Sequence, residues 1–429
     1  MFFLVSVPAT LRPPLALMIW VVMDYMNPHR LCHTWAKIGI PFSQISAAVT
    51  VFSLFAAPVP KRFPITRETV LLVLFIIWMS ITTVTALNPY EAQIEWDRAV
   101  KVQILVLATL VVVYDRRLLD LLIWTIVGSL GFYGIKGGLF TILRGGHHRV
   151  IGPEYTFIED NNALAMVLVT IIPLIRYLML QTSSRMVRYG LGGSIGLILA
   201  AVIGSYSRGG LLALGAMTVL LLMKSRNRFV FGLLLLIVVP AVVHMMPQAW
   251  FDRINSIAYY HEDNSVKGRF NAWWFGWNIA LERPLTGGGF RVFTKELFKV
   301  YAPDPEDDHE AHNTFVKVLA EHGFVGLGIF LLLAFFTWRS ATWIRKIAAN
   351  NDELTWARDL ASMVQVALFG YAVGGMGLHL AYFGLPYHLT VIVVITKEIV
   401  RQAVIQKAVE AKRSEDAQSV DGSPVPAYS

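Results

Sequence analysis

Twelve apolar runs constrain this chain more than any other feature. They cover roughly residues 13–27, 38–57, 69–87, 99–114, 118–142, 161–180, 187–206, 209–223, 227–246, 313–338, 357–379 and 386–405. A bilayer core of about 30 Å is crossed by about 20 residues of helix rising about 1.5 Å each. Within it every backbone polar group must be bonded internally, so such runs fold as helices. The pattern predicts an all-α polytopic membrane protein of about twelve transmembrane helices, and 55% hydrophobic against 15% charged residues excludes a soluble domain. The net charge of +8 does not predict a nucleic-acid partner. Its basic residues stand in short clusters between apolar runs, where they encode orientation.

One set of connections carries Arg67; Arg116 and Arg117; Arg185 and Arg188; Lys224 and Arg228; Arg339, Arg345 and Lys346; and the tail from Lys397 to Arg413. Lys61, Arg62 and Arg226 belong to the same set. The alternate set of short loops carries few: Arg30, Lys37, Arg98, Arg144, Arg149 and Arg208. The basic set is predicted to be cytoplasmic, with both termini, and the long polar stretch before residue 313 faces outward. The chain then divides into an N-terminal transmembrane region (1–150), helices of a core (151–246), a large outward loop (247–312), C-terminal transmembrane helices (313–406) and a disordered cytoplasmic tail (407–429). Residues 1–11 are too short to span. They either extend the first helix through Pro13-Pro14 or are the remnant of a longer start, and they lack the basic segment of a secretory leader. The single cysteine, Cys32, allows neither an intramolecular disulfide nor a cysteine metal cage. Gly190, Gly192, Gly193 and Gly196 predict a close helix-packing face.

All eleven histidines fall on the outward side or in the outer half of a helix. His312 stands out among them. Counting back from Trp338 puts the hydrocarbon boundary near Leu319, so His312 lies about 10 Å beyond it, at headgroup level. Asn313 and Thr314 are N-cap candidates, which directs the positive end of the helix dipole to the same place. His312 is either a solvated interfacial side chain or a reactive one. His322, about 15 Å deeper, cannot reach the same small group.

Arg208, in Ser205-Tyr206-Ser207-Arg208-Gly209-Gly210, joins two apolar helices at the outer surface. It either anchors there or binds an anion, and the outward position favours an anion. Arg269 opens an aromatic-rich helix through Asn278 that is expected to lie on the membrane surface with its tryptophans at the interface. Gly287-Gly288-Gly289 predicts a tight turn, not a phosphate loop. The acidic run from Asp304 to Glu310 lacks metal-ligand spacing and is expected to be solvated. Glu91, Glu95 and Asp97 are further outward carboxylates with no distinguishing feature but location. Two arginines and a histidine at one headgroup plane suit a lipid-linked pyrophosphate. The arginines would hold the diphosphate as a leaving group, and a neutral histidine would take a proton from an attacking hydroxyl.

These residues resemble the O-antigen ligase and polymerase superfamily. His312-Asn313, followed after nine residues by Gly323 and then Gly326, is similar to its signature at the end of the large periplasmic loop. Ser207-Arg208-Gly209 and Gly268-Arg269 with Trp273-Trp274 are similar to its two arginine sites. Met26 to Leu31 and Tyr382 to Pro386 resemble a narrower group, the probable O-glycosylation ligases associated with the exosortase A system; beside that group the chain begins late. The resemblance implies a GT-C-like, metal-independent glycosyltransferase of the bacterial inner membrane with no cofactor. It would move a glycan from undecaprenyl pyrophosphate to a hydroxyl of a protein or lipid acceptor and invert the anomeric centre. It implies Arg208 and Arg269 as diphosphate ligands, His312 as base, and Asn313 in support, with no metal ligands. A polymerase using the same donor is the first alternative. A lipid-linked glycan transporter is the second, disfavoured because the inner helix halves are apolar.

Overall fold

The computed structural model describes residues 12–31, 41–57, 63–224, 228–255 and 264–421. The readings made above for residues 1–11, for Cys32 and for the last part of the tail lie outside them. The described residues are helical and contain no strand. In chain order the helices are α1 (Pro13–Tyr25), α2 (Phe42–Ala56), α3 (Arg67–Val84), α4 (Pro89–Val112), α5 (Arg116–Leu143), α6 (Asn161–Gln181), α7 (Arg185–Gly204) and α8 (Arg208–Lys224). They continue with α9 (Arg228–His244), α10 (Gln248–Asn255), α11 (Asn264–Glu282), α12 (Lys295–Tyr301), α13 (Thr314–Ile347), α14 (Thr355–Gly375) and α15 (Gly384–Asp421).

Each of the twelve apolar runs coincides with one helix. Five helices, α3, α5, α6, α7 and α13, are long and apolar enough to cross a membrane by length and composition. The other seven are shorter than 18 residues or carry charges within the helix, so a count of twelve spans does not follow from length and composition. Helix α15 runs on to Asp421, through the segment where a disordered tail is expected. That stretch is rich in Ala, Glu and Lys and free of Gly and Pro, a composition that propagates a helix.

The bundle is built around α6, whose residues from Ala163 to Leu178 are all buried. A helix apolar on every side belongs inside, and α6 is enclosed by α5, α7, α8 and α14. The close helix approach is not at the α7 glycines. Gly190 and Gly193 meet nothing within 4 Å. It falls instead on Gly134, Gly137 and Gly138 of α5, which share one helix face. A Cβ on Gly138 would lie 2.0 Å from the Leu197 carbonyl oxygen of α7, and one on Gly134 would lie 2.4 Å from Ile198.

Helix α13 breaks at Gly323 (φ 67°, ψ −171°). A break frees carbonyls on one side and amides on the other, and each must find a partner. The turn after α11 supplies them. Gly288 N donates to the Ala320 carbonyl at 2.8 Å, Gly289 N to that of Glu321 at 2.9 Å, and Phe324 N to that of Pro284 at 2.9 Å. The same turn holds the end of α3, through Leu87 N to the Gly288 carbonyl (2.8 Å) and Arg283 to the Thr85 carbonyl (2.6 Å). A Cβ on Gly287 would come within 2.6 Å of the Ala320 carbonyl oxygen, so the glycines are what allow the turn to seat.

Helix α11 lays Ala272, Phe275 and Ile279 against Val292, Phe298 and Ala320 in a small core of its own, with Phe275 and Phe298 stacked at 4.2 Å. Its other face exposes Phe270, Trp274, Trp277 and Leu281, a helical stripe that continues onto α13 through an edge contact between Trp277 and Phe324. Gly323→Ala is expected to cost at least about 1–3 kcal/mol, because this backbone region is nearly closed to other residues. A Cβ there would also meet the Leu285 carbonyl oxygen at 2.3 Å. Thermal unfolding of the purified variant checks this; an unchanged midpoint would mean that the break is not needed.

Candidate functional site

At one end of the bundle, α1 ends while α4, α6 and α13 begin, and the turn joining α14 to α15 crosses between them. These ends enclose a cavity of about 840 Å³. It is lined by Arg291, Glu310, His312, Lys317, His379 and Tyr382, together with Tyr25, Arg30, Glu95, Arg98, Tyr155 and Asp160.

His312 immediately precedes the N-cap of α13 and is held at φ 42°, a left-handed conformation uncommon for a non-glycine residue and often found at functional positions. Asn313 is the N-cap of α13 and accepts from Phe315 N at 2.9 Å and Val316 N at 3.2 Å. Thr314 donates to the Leu378 carbonyl at 2.8 Å, which fastens the α14–α15 turn to the start of α13. The His312 ring consequently lies 5.0 Å from that of His379, between centroids. Burial pushes the His312 imidazole below its ordinary value of 6.5, and the positive charge of Arg269 adds to the effect, against partial opposition from Asp160 and Glu310. His379 is pushed down by burial and by Lys317. Both imidazoles are therefore neutral at neutral pH and able to accept a proton.

Arg269 acts on His312 electrostatically from α11, and Arg208 opens α8 behind the α14–α15 turn. A Cβ on the neighbouring Gly209 would lie 3.8 Å from Leu378, the residue next to His379. Asn161 donates to the Ser205 carbonyl at 2.7 Å, which ties the turn before Arg208 to the start of α6. Both arginines are half-buried. Neither lines the cavity; of the predicted site residues only His312 does.

Sequence reading passed over an ionic set directly beneath His312. Lys317, buried on the first turns of α13, pairs with Glu310 at 3.2 Å and with the fully buried Glu321 at 3.8 Å. Glu321 also accepts from Arg291 N at 3.0 Å and from the Tyr382 hydroxyl. Arg291 in turn pairs with Glu95 at 3.1 Å. Burial favours the neutral acid at Glu310, but Lys317 and His379 outweigh it and hold the carboxyl below its usual range. The signal was present: Lys317 and Glu321 are charges four residues apart inside an apolar run, a position that marks function in membrane helices.

The acidic run keeps Asp304, Glu306 and His309 exposed, as expected, but its backbone is pinned. Asn271 donates to the carbonyls of Asp304 (2.7 Å) and Asp307 (3.0 Å), and Glu310 turns inward to Lys317. Among the described residues no group of three or more His, Cys, Asp or Glu is placed to hold a metal ion. His322 and His388 are structural: His322 lies between Tyr382 (2.8 Å) and Thr82 (2.7 Å), and His388 meets Tyr25 at 2.7 Å.

Residues 193–331 match the O-antigen ligase family. Arg208, Arg269, His312 and Asn313 all lie within the matched segment. The match supports the O-antigen ligase superfamily, a class of glycosyl-transferring membrane enzymes that take a lipid-linked glycan donor. Residues 1–183 match a family of unknown function (DUF5935). No curated protein matches the chain. The cavity is built from both matched segments and from the turn beyond them. The ligase-type segment supplies Arg291, Glu310, His312 and Lys317, the N-terminal segment Tyr25, Arg30, Glu95 and Asp160, and the α14–α15 turn His379 and Tyr382.

Lys317→Met would leave Glu321 and Glu310 without their cation and is expected to cost about 3–5 kcal/mol. K317M/E321Q should recover part of that loss. Thermal unfolding of the three proteins is the check, and a fully stable K317M would mean that Arg291 alone compensates both acids.

Proposed function

We propose that the chain is an O-antigen ligase-like glycosyltransferase that moves a glycan from undecaprenyl pyrophosphate to an acceptor hydroxyl at the periplasmic face of the bacterial inner membrane. The observation that carries the reading is His312: half-buried, neutral, lining the cavity of about 840 Å³, and close enough to Arg269 to feel its charge. The acceptor hydroxyl attacks the anomeric carbon and loses its proton to the His312 imidazole. The new bond from acceptor oxygen to carbon forms as the bond from that carbon to the phosphate oxygen breaks. Undecaprenyl pyrophosphate leaves with the electron pair, and attack opposite the leaving group inverts the centre. Arg208 and Arg269 are assigned to the diphosphate, whose developing charge two guanidinium groups can hold without a metal ion.

The segment resembling the exosortase-associated ligases supports a protein acceptor over a lipid core. Its two parts, Met26 to Leu31 and Tyr382 to Pro386, are far apart in the chain yet meet in one cavity, through Asn27 and Arg30 and through Tyr382 and Phe383. The polymerase reading uses the same donor chemistry and differs only in the acceptor, so product length separates the two. The exposed aromatic stripe of α11 suits a helix seated at the bilayer surface.

Purified protein supplied with a lipid-linked donor and candidate acceptors is the direct test. Arg208→Ala and Arg269→Ala are each expected to lower transfer by about 10²–10³-fold, and His312→Ala by about 10²–10⁴-fold, with membrane levels unchanged. Full transfer by His312→Ala would remove the base assignment. Because a base works in its neutral form and His312 lies below 6.5, the rate should hold as pH falls through 6.5 and decline only further down. A decline that begins above pH 6.5 would contradict that assignment.

A further inference from the structure

At the end of the bundle opposite the His312 cavity, two crevices adjoin where α3 starts, α4 ends and α13 and α15 pass. The first, about 440 Å³, is lined by Arg67, Arg339, Lys397 and Arg401 with two acids, Glu68 and Glu398. Glu68 is buried and already engaged: it accepts from Ser340 and lies 4.0 Å from the Lys397 ammonium, which itself donates to Ser340 at 2.9 Å. Glu398 accepts from Gln402 at 2.9 Å. Among the described residues Arg339 and Arg401 make no ion pair or hydrogen bond. The first turn of α3, capped by Thr66, opens on the same crevice and adds the positive end of its dipole. The crevice therefore carries excess positive charge from three helices, edged by Phe336 and by the half-exposed Trp343.

The second crevice, about 620 Å³, is mostly apolar, with Phe63, Leu110, Val113 and Ile395 in its wall. Ile65, Thr66, Glu398 and Arg401 line both. A basic hollow and an apolar hollow sharing one rim fit an amphiphile with an anionic head. A free anion would leave the apolar part empty, and a neutral amphiphile would leave the arginines unpaired. Basic pockets between membrane helices on the cytoplasmic side bind anionic headgroups, and the excess of Lys and Arg at this end is what directs such an end to that side.

We propose that this paired crevice is a binding site for an anionic phospholipid, its phosphodiester held by Arg339 and Arg401 and its acyl chain in the apolar hollow. The site is remote from the His312 cavity and independent of the reaction assigned there.

The test uses delipidated full-length protein in detergent, with lipid binding followed by native mass spectrometry. The probes are phosphatidylglycerol, phosphatidylethanolamine with the same chains, and inorganic phosphate. Phosphatidylglycerol is expected to bind at least about tenfold more tightly than phosphatidylethanolamine, without displacement by phosphate. R339Q/R401Q should weaken it by about fivefold per arginine. R185Q/K346Q removes the same charge from positions at the same end that line neither crevice and should change binding by less than about twofold. Ile65→Ser, at the shared rim, should weaken the lipid without any change of charge. Equal binding of the two lipids, displacement by phosphate, or equal loss in R185Q/K346Q would each overturn the proposal.

Discussion

The cavity end of the bundle depends on a helix that is interrupted in the right place. The first turns of α13 form a short platform from Asn313 to His322, closed at one end by the Asn313 cap and at the other by the break at Gly323. His312 sits on the rim of that platform, and Lys317 and Glu321 lie beneath it. The turn at 284–289 satisfies the amides and carbonyls that the break exposes. It thereby joins α11 to α13 and α3 in one hydrogen-bonded unit. Without that turn, three backbone groups at the break would be buried unpaired, at a cost comparable to a lost hydrogen bond each.

The electrostatics follow from this geometry. A buried cation is tolerable only with partners, and Lys317 has two carboxylates within 4.0 Å. Their satisfaction keeps the cavity floor charged yet fixed, while burial and the arginine on α11 keep His312 neutral. A neutral imidazole above a fixed ionic floor is poised to take a proton rather than to hold one. His379 is placed beside it by a hydrogen bond from Thr314, the residue that starts the platform.

The division of labour along the chain is also clear in the cavity. The segment matched to O-antigen ligases holds the two arginines and the histidine, and the N-terminal segment supplies part of the cavity lining. A segment of a family without an assigned role thus borders the same space as His312.

Much of this was legible in the sequence, for a simple reason: apolar runs specify helices wherever lipid or core must be met, and each of the twelve is a helix. His312 stands out in the sequence because a polar residue at the edge of an apolar run is costly, and it lines the cavity; Arg208 and Arg269 do not line it. What the linear pattern does not contain is which helices face each other. Hydrophobicity alone does not tell a lipid-facing helix from one enclosed on all sides, so the burial of α6 was decided by packing. The same holds for the close approach at Gly134, Gly137 and Gly138 in place of the α7 glycines. Glu310, Lys317, Glu321, Glu95, Arg291 and His379 belong to separate stretches of sequence, and only tertiary contact makes them one site. The glycine turn was readable as a turn; that it serves to complete a broken helix 30-odd residues later was settled by the fold, because a hydrogen bond needs both partners in place.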